Sequence, residues 1–129
     1  NVTEMYGVFR KNTVFNNGKG VDEVGNSLIL NTSKVERMQL MFEQCENFNA
    51  PIGSWDTSNV TNMDEMFKDA IKFNQEIRTW DVSNLTKFSK MFKGATALEE
   101  LYRGTAFAIS DTPAKTFWTL YEHNPNYTG

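Results

Sequence analysis

Hydrolytic chemistry needs an acid, a base or a nucleophile brought together, and few residues of this chain could serve. His123 is the only histidine. It stands in the loop-like stretch Glu122-His123-Asn124-Pro125-Asn126 and reads as an exposed or capping residue rather than a catalytic base. Cys45, the only cysteine, falls on Ala70 and Ala95 when the chain is aligned on itself, so it reads as a small core residue rather than a nucleophile. A lone cysteine also excludes an internal disulfide framework and a cysteine-cluster zinc site. Glu99 and Glu100 form a carboxylate pair with no base or metal partner in view, which reads as a solvated corner. The inventory predicts no enzyme, no catalytic residue and no cofactor.

Binding chemistry has more candidates. Asp56 and Asp81 occupy one column, with Asn31 in the same place one unit earlier, and such an oxygen ladder could hold a hard cation such as calcium. Asp-x-Ser is also the signature of a turn whose side chain bonds nearby amides. That reading is preferred, and no metal site is assigned. Asn17-Gly18-Lys19-Gly20 lacks the strand, the full glycine spacing and the following Lys-Ser/Thr of a phosphate cradle, and reads as a turn. Sequons begin at Asn1, Asn31, Asn59, Asn84 and Asn126. Three of them, Asn1, Asn59 and Asn84, share a column, so the repeat itself generates them and they are weak evidence for glycosylation.

Charge and hydropathy narrow the partners. A net charge of -3 and a pI near 5.1 have the wrong sign for a generic phosphate-backbone binder, so nucleic acid is not expected. No apolar run approaches the roughly 20 residues that cross a bilayer, so this chain is not expected to insert into a membrane. Asn1-Val2-Thr3-Glu4 has no charged-then-apolar signal pattern. The chain begins inside a repeat, however, and reads as a piece of a longer protein with room for further repeats ahead of Asn1, which leaves the compartment open.

The elements that must position these residues come from the repeat, which is sought first because its period dictates the fold. At 25-residue spacing the columns are Ser33/Ser58/Ser83, Val35/Val60/Leu85, Met38/Met63/Phe88, Met41/Met66/Met91, Phe42/Phe67/Phe92, Cys45/Ala70/Ala95, Phe48/Phe73/Leu98, Ile52/Ile77 and Trp55/Trp80. They are nearly all apolar, the pattern of one core built from stacked layers. Val2, Thr3, Met5 and Phe9 overlay Val60, Thr61, Met63 and Phe67, so a first unit precedes these. It is eight residues too long, and the surplus, 17–24, reads as a turn or protruding loop. Leu30 regains register with Trp55 and Trp80.

Within a unit, Met63, Met66, Phe67 and Ala70 sit at i, i+3, i+4 and i+7, which predicts a short helix over about 62–70, with Thr61 and Asp64 resembling a capping box. Phe73 to Ile77 reads as a turn and Trp80 to Leu85 as a short extended piece. Asn16, Asn49 and Asn74 form a polar column whose amides should bond the backbone of neighbouring layers. The grammar fails after Leu98. Residues 99–129 read as a C-terminal cap with a helix from Asp111 to about Tyr121, burying Phe117, Trp118, Leu120 and Tyr121.

The pattern Phe48-Asn49, Ile52, Trp55-Asp56, Ser58-Asn59-Val60-Thr61, Met63, Met66-Phe67 and Ala70 resembles the unit of the BspA-like leucine-rich repeat family, the short tandem repeat of mycoplasma lipoproteins and other bacterial surface proteins. The next unit repeats it at Phe73-Asn74, Ile77, Trp80-Asp81, Ser83-Asn84, Thr86, Met91-Phe92 and Ala95. The likeness covers about 1–98 and implies a surface adhesin or interaction module, without naming a chemistry.

The expected fold is therefore an α/β repeat: a short, right-handed, leucine-rich-repeat-like solenoid of about four strand-plus-short-helix layers. Residues 1–98 would form the repeats, with the insertion at 17–24, and 99–129 the helical cap. The expected function is a non-enzymatic, extracellular, surface-exposed module that binds a protein or glycan on a host or neighbouring cell, with a structural spacer as the alternative. Lys19, Asp22 and Glu23 in the insertion are the first candidates for contact, since they break the pattern without a packing requirement. Tyr6, Gln39, Asp64 and Arg37 are the second. They lie in the variable columns Tyr6/Gln39/Asp64/Ser89 and Glu4/Arg37/Asn62/Lys87, which together with Arg10/Glu43/Lys68/Lys93 should face solvent.

Overall fold

The computed structural model describes residues 2–20, 22–77 and 79–98. Four layers stack in it: a first up to Thr32, a second at 33–57, a third at 58–82 and a fourth from Ser83. The expected α/β architecture does not form. Among the described residues the one helical turn is at 96–98, no sheet is built, and strand pairing is limited to isolated parallel bridges, Glu4 to Arg37, Arg37 to Asn62 and Asn62 to Lys87. Trp80 to Leu85, expected as an extended piece, includes a turn in which the Leu85 N–H donates to the Val82 carbonyl. The expected cap, 99–129, lies outside the described residues, as do Glu99, Glu100 and His123.

What replaces the helix is a ribbon of turns, and its hydrogen bonds explain why. In the third layer the amides of Met63, Glu65, Phe67 and Asp69 donate to the carbonyls of Lys87, Ser89, Met91 and Lys93 in the fourth. The amides of Met66, Lys68 and Ala70 donate three residues back, to Met63, Glu65 and Phe67. The second layer does the same, with Met38, Leu40, Phe42 and Gln44 reaching Asn62, Asp64, Met66 and Lys68. The first follows with Met5, Gly7, Phe9 and Lys11 reaching Arg37, Gln39, Met41 and Glu43. All these interlayer bonds are 2.7 to 3.1 Å long.

An α-helix would direct its amides along its own axis. Here half of them leave the segment to join layers, and the chain must turn back every fourth residue. Those turning points adopt the left-handed region: Gly7 and Lys11, Leu40 and Gln44, Glu65 and Asp69, Lys90 and Gly94, with φ between 54° and 79°. Such a conformation is costly for side-chain-bearing residues and persists because interlayer bonds hold it, on both sides in the second and third layers and on one side in the first and fourth. Glycine is favoured at one of them, since a Cβ on Gly94 would lie 2.1 Å from Asp69 Oδ1 and force that carboxylate to move. A period of four and a period of 3.6 put the same residues on the buried side over eight positions, and an eight-residue segment is too short to be helical by itself.

The buried side is aromatic. Phe9, Phe42, Phe67 and Phe92 stack in one column with centroids 5.5, 5.6 and 5.9 Å apart. Phe15, Phe48 and Phe73 form a second column at 5.6 and 5.5 Å, and Trp55 lies 6.2 Å from Trp80. The rings are nearly parallel within each column, an offset-stacked geometry worth more than area burial alone. Each indole N–H is satisfied by the layer before it, Trp55 Nε1 by the Leu28 carbonyl at 2.8 Å and Trp80 Nε1 by the Ile52 carbonyl at 3.1 Å.

The asparagine column behaves as its residues predict. Asn16 Oδ1 accepts the Asn49 N–H at 2.7 Å, and Asn49 Oδ1 accepts the Asn74 N–H at 3.0 Å. A second amide ladder runs through the sequon asparagines, with Asn59 Nδ2 donating to the Ser33 carbonyl and Asn84 Nδ2 to the Ser58 carbonyl.

Ring deletions and the buried thiol both test this packing. Phe67 is fully buried with rings on four sides, so Phe67→Ala should lower the unfolding free energy in urea titration by about 3–5 kcal/mol. Half-buried Phe9, at the end of its column, should lose about half as much. Cys45 is buried, its Sγ 2.7 Å from the Phe9 carbonyl, and burial pushes its thiol up to about 11. The folded chain should therefore resist iodoacetamide at pH 8 and react once unfolded. Because the folded pKa is raised, the thiol's stabilising contribution is whole below the unfolded value near 9. It is lost as pH climbs toward 11, so a pH series of melting temperatures should fall over that interval and fall less in Cys45→Ala.

Candidate functional site

The insertion is where the first layer departs from the others, and its anchoring starts with Asn16, buried at the loop's base. Its Nδ2 donates to the Gly20 and Glu23 carbonyls at 3.1 and 2.8 Å while its Oδ1 holds the second layer. One amide thus ties both limbs of the loop to the stack. Asn17, with φ 45°, donates Nδ2 to the carbonyls of Asn26 and Ser27. Glu23 Oε1 accepts the Gly20 N–H at 2.9 Å. The loop closes on itself at Gly25, where a Cβ would meet the Asn16 carbonyl at 2.5 Å. Glycine is needed there for close approach, and the two ends of the insertion touch.

Held this way, the loop folds back over one corner of the stack. Asp22 pairs with Lys72 of the third layer, and beneath it lies a groove of about 270 Å3 lined by Asp22, Glu23, Asn47, Asn49, Ile71, Lys72 and Ala97. Asn47, Lys72 and Ala97 are one column at 25-residue spacing, so every layer contributes to the wall. The lining mixes two carboxylates, two amides, an ammonium and an exposed isoleucine, which suits a polar ligand with a small apolar face. The Asp22–Lys72 pair is solvent-exposed and worth little by itself, so a ligand can displace it at small cost.

The candidate residues divide accordingly. Asp22 and Glu23 line the groove, whereas Lys19 is exposed on the loop and not part of the lining. Tyr6, Arg37, Gln39 and Asp64 lie on the ribbons, apart from the groove. Arg37 pairs with Glu4 at 3.5 Å, Asp64 Oδ1 accepts the Ser89 N–H at 2.7 Å, and Gln39 is only partly exposed. Their columns are therefore not uniformly solvent-facing. The clearest correction is Glu43, expected outside and found buried, with 4% of its side chain exposed and Arg10 Nε 2.6 Å from Oε1. That carboxylate raises the Arg10 pKa. Asn47, Ile71, Lys72 and Ala97 were not singled out from the sequence. Their signal was the column that precedes Phe48 and Phe73, onto which an insertion just after Phe15 must fold.

The aspartate column resolves as turns. Asp56 Oδ1 accepts the Ser58 N–H at 3.0 Å and the Ser58 Oγ–H at 2.6 Å, and Asp81 does the same with Ser83 at 2.9 and 2.6 Å. These bonds, the hydroxyl one first, hold both carboxyls below the usual carboxylate range. Among the described residues no group of three or more His, Cys, Asp or Glu side chains could hold a metal ion, and no helix is long and apolar enough to cross a membrane.

Neither a curated protein nor a solved structure matches the chain. One family model does, over residues 3–124, a span that takes in the first-layer insertion, the groove and all four layers. The chain belongs to the family described as Mycoplasma protein of unknown function, DUF285.

Proposed function

We propose that the chain is a non-enzymatic binding module of a bacterial cell-surface protein, which captures a protein or glycan ligand in the groove beneath the 17–24 insertion. The observation that carries this reading is the insertion's own construction. Eight extra residues are fastened at both limbs by a buried asparagine and reach the third layer through Asp22 and Lys72, over a groove whose lining comes from all four layers, an arrangement that stacking does not require. The likeness of the repeat to BspA-like surface repeats supports the extracellular setting. Asp22, Glu23, Asn47, Asn49 and Lys72 would supply polar contacts and Ile71 an apolar one, with binding energy drawn from a few contacts at the centre of the site.

The test is a capture screen of the chain against glycan arrays, matrix proteins and host-cell surfaces, run beside a variant lacking residues 17–24. That deletion restores 25-residue spacing and joins ends that already touch. Capture should vanish with the deletion and fall at least tenfold in Asp22→Ala with Lys72→Ala, while the melting temperature of the double variant stays within a few degrees of the parent. Capture that survives the deletion would remove the groove as the site. Absence of capture by a folded chain would leave the structural spacer as the better reading.

A further inference from the structure

Exposed large apolar side chains are concentrated in the first layer. Val2, Tyr6, Val8, Val14, Val24 and Ile29 all belong to it, with Ile71 the exception among the described residues. The main chain of the same layer adds an independent feature. In the later layers the carbonyls of Arg37, Gln39, Met41 and Glu43, and their equivalents, accept amides from the layer before. The first layer's equivalents are the carbonyls of Glu4, Tyr6, Val8 and Arg10, and among the described residues they accept no hydrogen bond. Phe9 and Phe15 are each stacked by one face on the second layer and remain half-buried.

We propose that this edge is a docking surface for a polypeptide segment carrying the repeat's own pattern, which adds to the first layer as the first layer adds to the second. Such a segment would continue an interface that already occurs three times in the stack, between first and second, second and third, and third and fourth layers. In each, amides at alternate residues of the earlier ribbon meet carbonyls at alternate residues of the later one, and Phe rings stack in register. A segment that satisfies the open edge must present amides at that spacing and a ring over Phe9, which is the surface that a Met-x-x-Met-Phe-x-x-Ala ribbon offers. Main-chain bonds supply affinity in such strand-like additions and the side-chain register supplies selectivity.

A second copy facing the same edge is a poor occupant. In the ribbon of the second layer only the Glu36 and Arg37 amides point back to the layer before, so the equivalent edge of the first layer sets four carbonyls against two amides, and two copies would oppose acceptor to acceptor along the ribbon, leaving carbonyls unpaired at a cost.

The experiment uses the full chain and a fluorescein-labelled peptide spanning residues 58–82, followed by anisotropy. Saturable binding is expected. It should be lost when the peptide carries Phe67→Asp and weakened at least tenfold when the chain carries Val8→Lys, a change at an exposed position that should leave the melting temperature unaltered. In a companion variant, a copy of residues 58–83 is fused directly ahead of the chain, which keeps the repeat register. The copied amides of Met63, Glu65, Phe67 and Asp69 should then be protected from hydrogen exchange. Unprotected amides in the fused copy overturn the proposal. So does peptide binding that Val8→Lys leaves intact, and concentration-dependent self-association that competes with the peptide would reassign the face to a second copy.

Discussion

Every other feature of the stack depends on the interlayer hydrogen bond made by alternate ribbon amides. Those bonds space the layers so that phenylalanine rings can stack in columns, and they hold eight turning points in a left-handed conformation that few side chains favour. Neither half of the arrangement stands without the other. A ribbon with no neighbour would carry unpaired amides and strained turns together, and stacked rings with no ribbon would have nothing to set their register. The polar ladders of Asn16, Asn49 and Asn74, and of Asn59 and Asn84, reinforce the same spacing from outside the aromatic core.

Much of this was legible in the residues. The apolar columns named the core, the asparagine column named its own bonds, and Asp56 and Asp81 behaved as turn formers. The helical spacing fails to give a helix for a definable reason. Met63, Met66, Phe67 and Ala70 satisfy a helical period and a four-residue turn period equally well, and no local residue distinguishes them. What decides is where the alternate amides go, and their acceptors lie 24 residues away, in the next layer. Glu43 departs from its column for a related reason. Its column holds Lys68 and Lys93, which suggests solvent, whereas its burial follows from Arg10, 33 residues earlier across the insertion.

The site shows the same division between local and distant information. That 17–24 breaks the repeat is plain from counting, and that asparagine and glycine would shape it follows from turn chemistry. Where the loop comes to rest is set by one buried side chain, Asn16, which bonds the loop on one side and the second layer on the other. The floor of the groove is ordinary repeat sequence, and it acquires significance because something was laid over it.

The direction of the ribbon bonds has an electrostatic consequence. Each peptide unit that sends its N–H toward the fourth layer turns its carbonyl toward the first, so the peptide dipoles along the ribbons add rather than cancel, as they do in a helix. The amides of Glu36, Thr61 and Thr86 point the other way and offset part of that sum, which leaves the first layer as the negative end of the stack. Charge placed on that end face is felt through aligned dipoles instead of by a single neighbour, and it favours cations there by the rule that places lysine and arginine at helix C-termini.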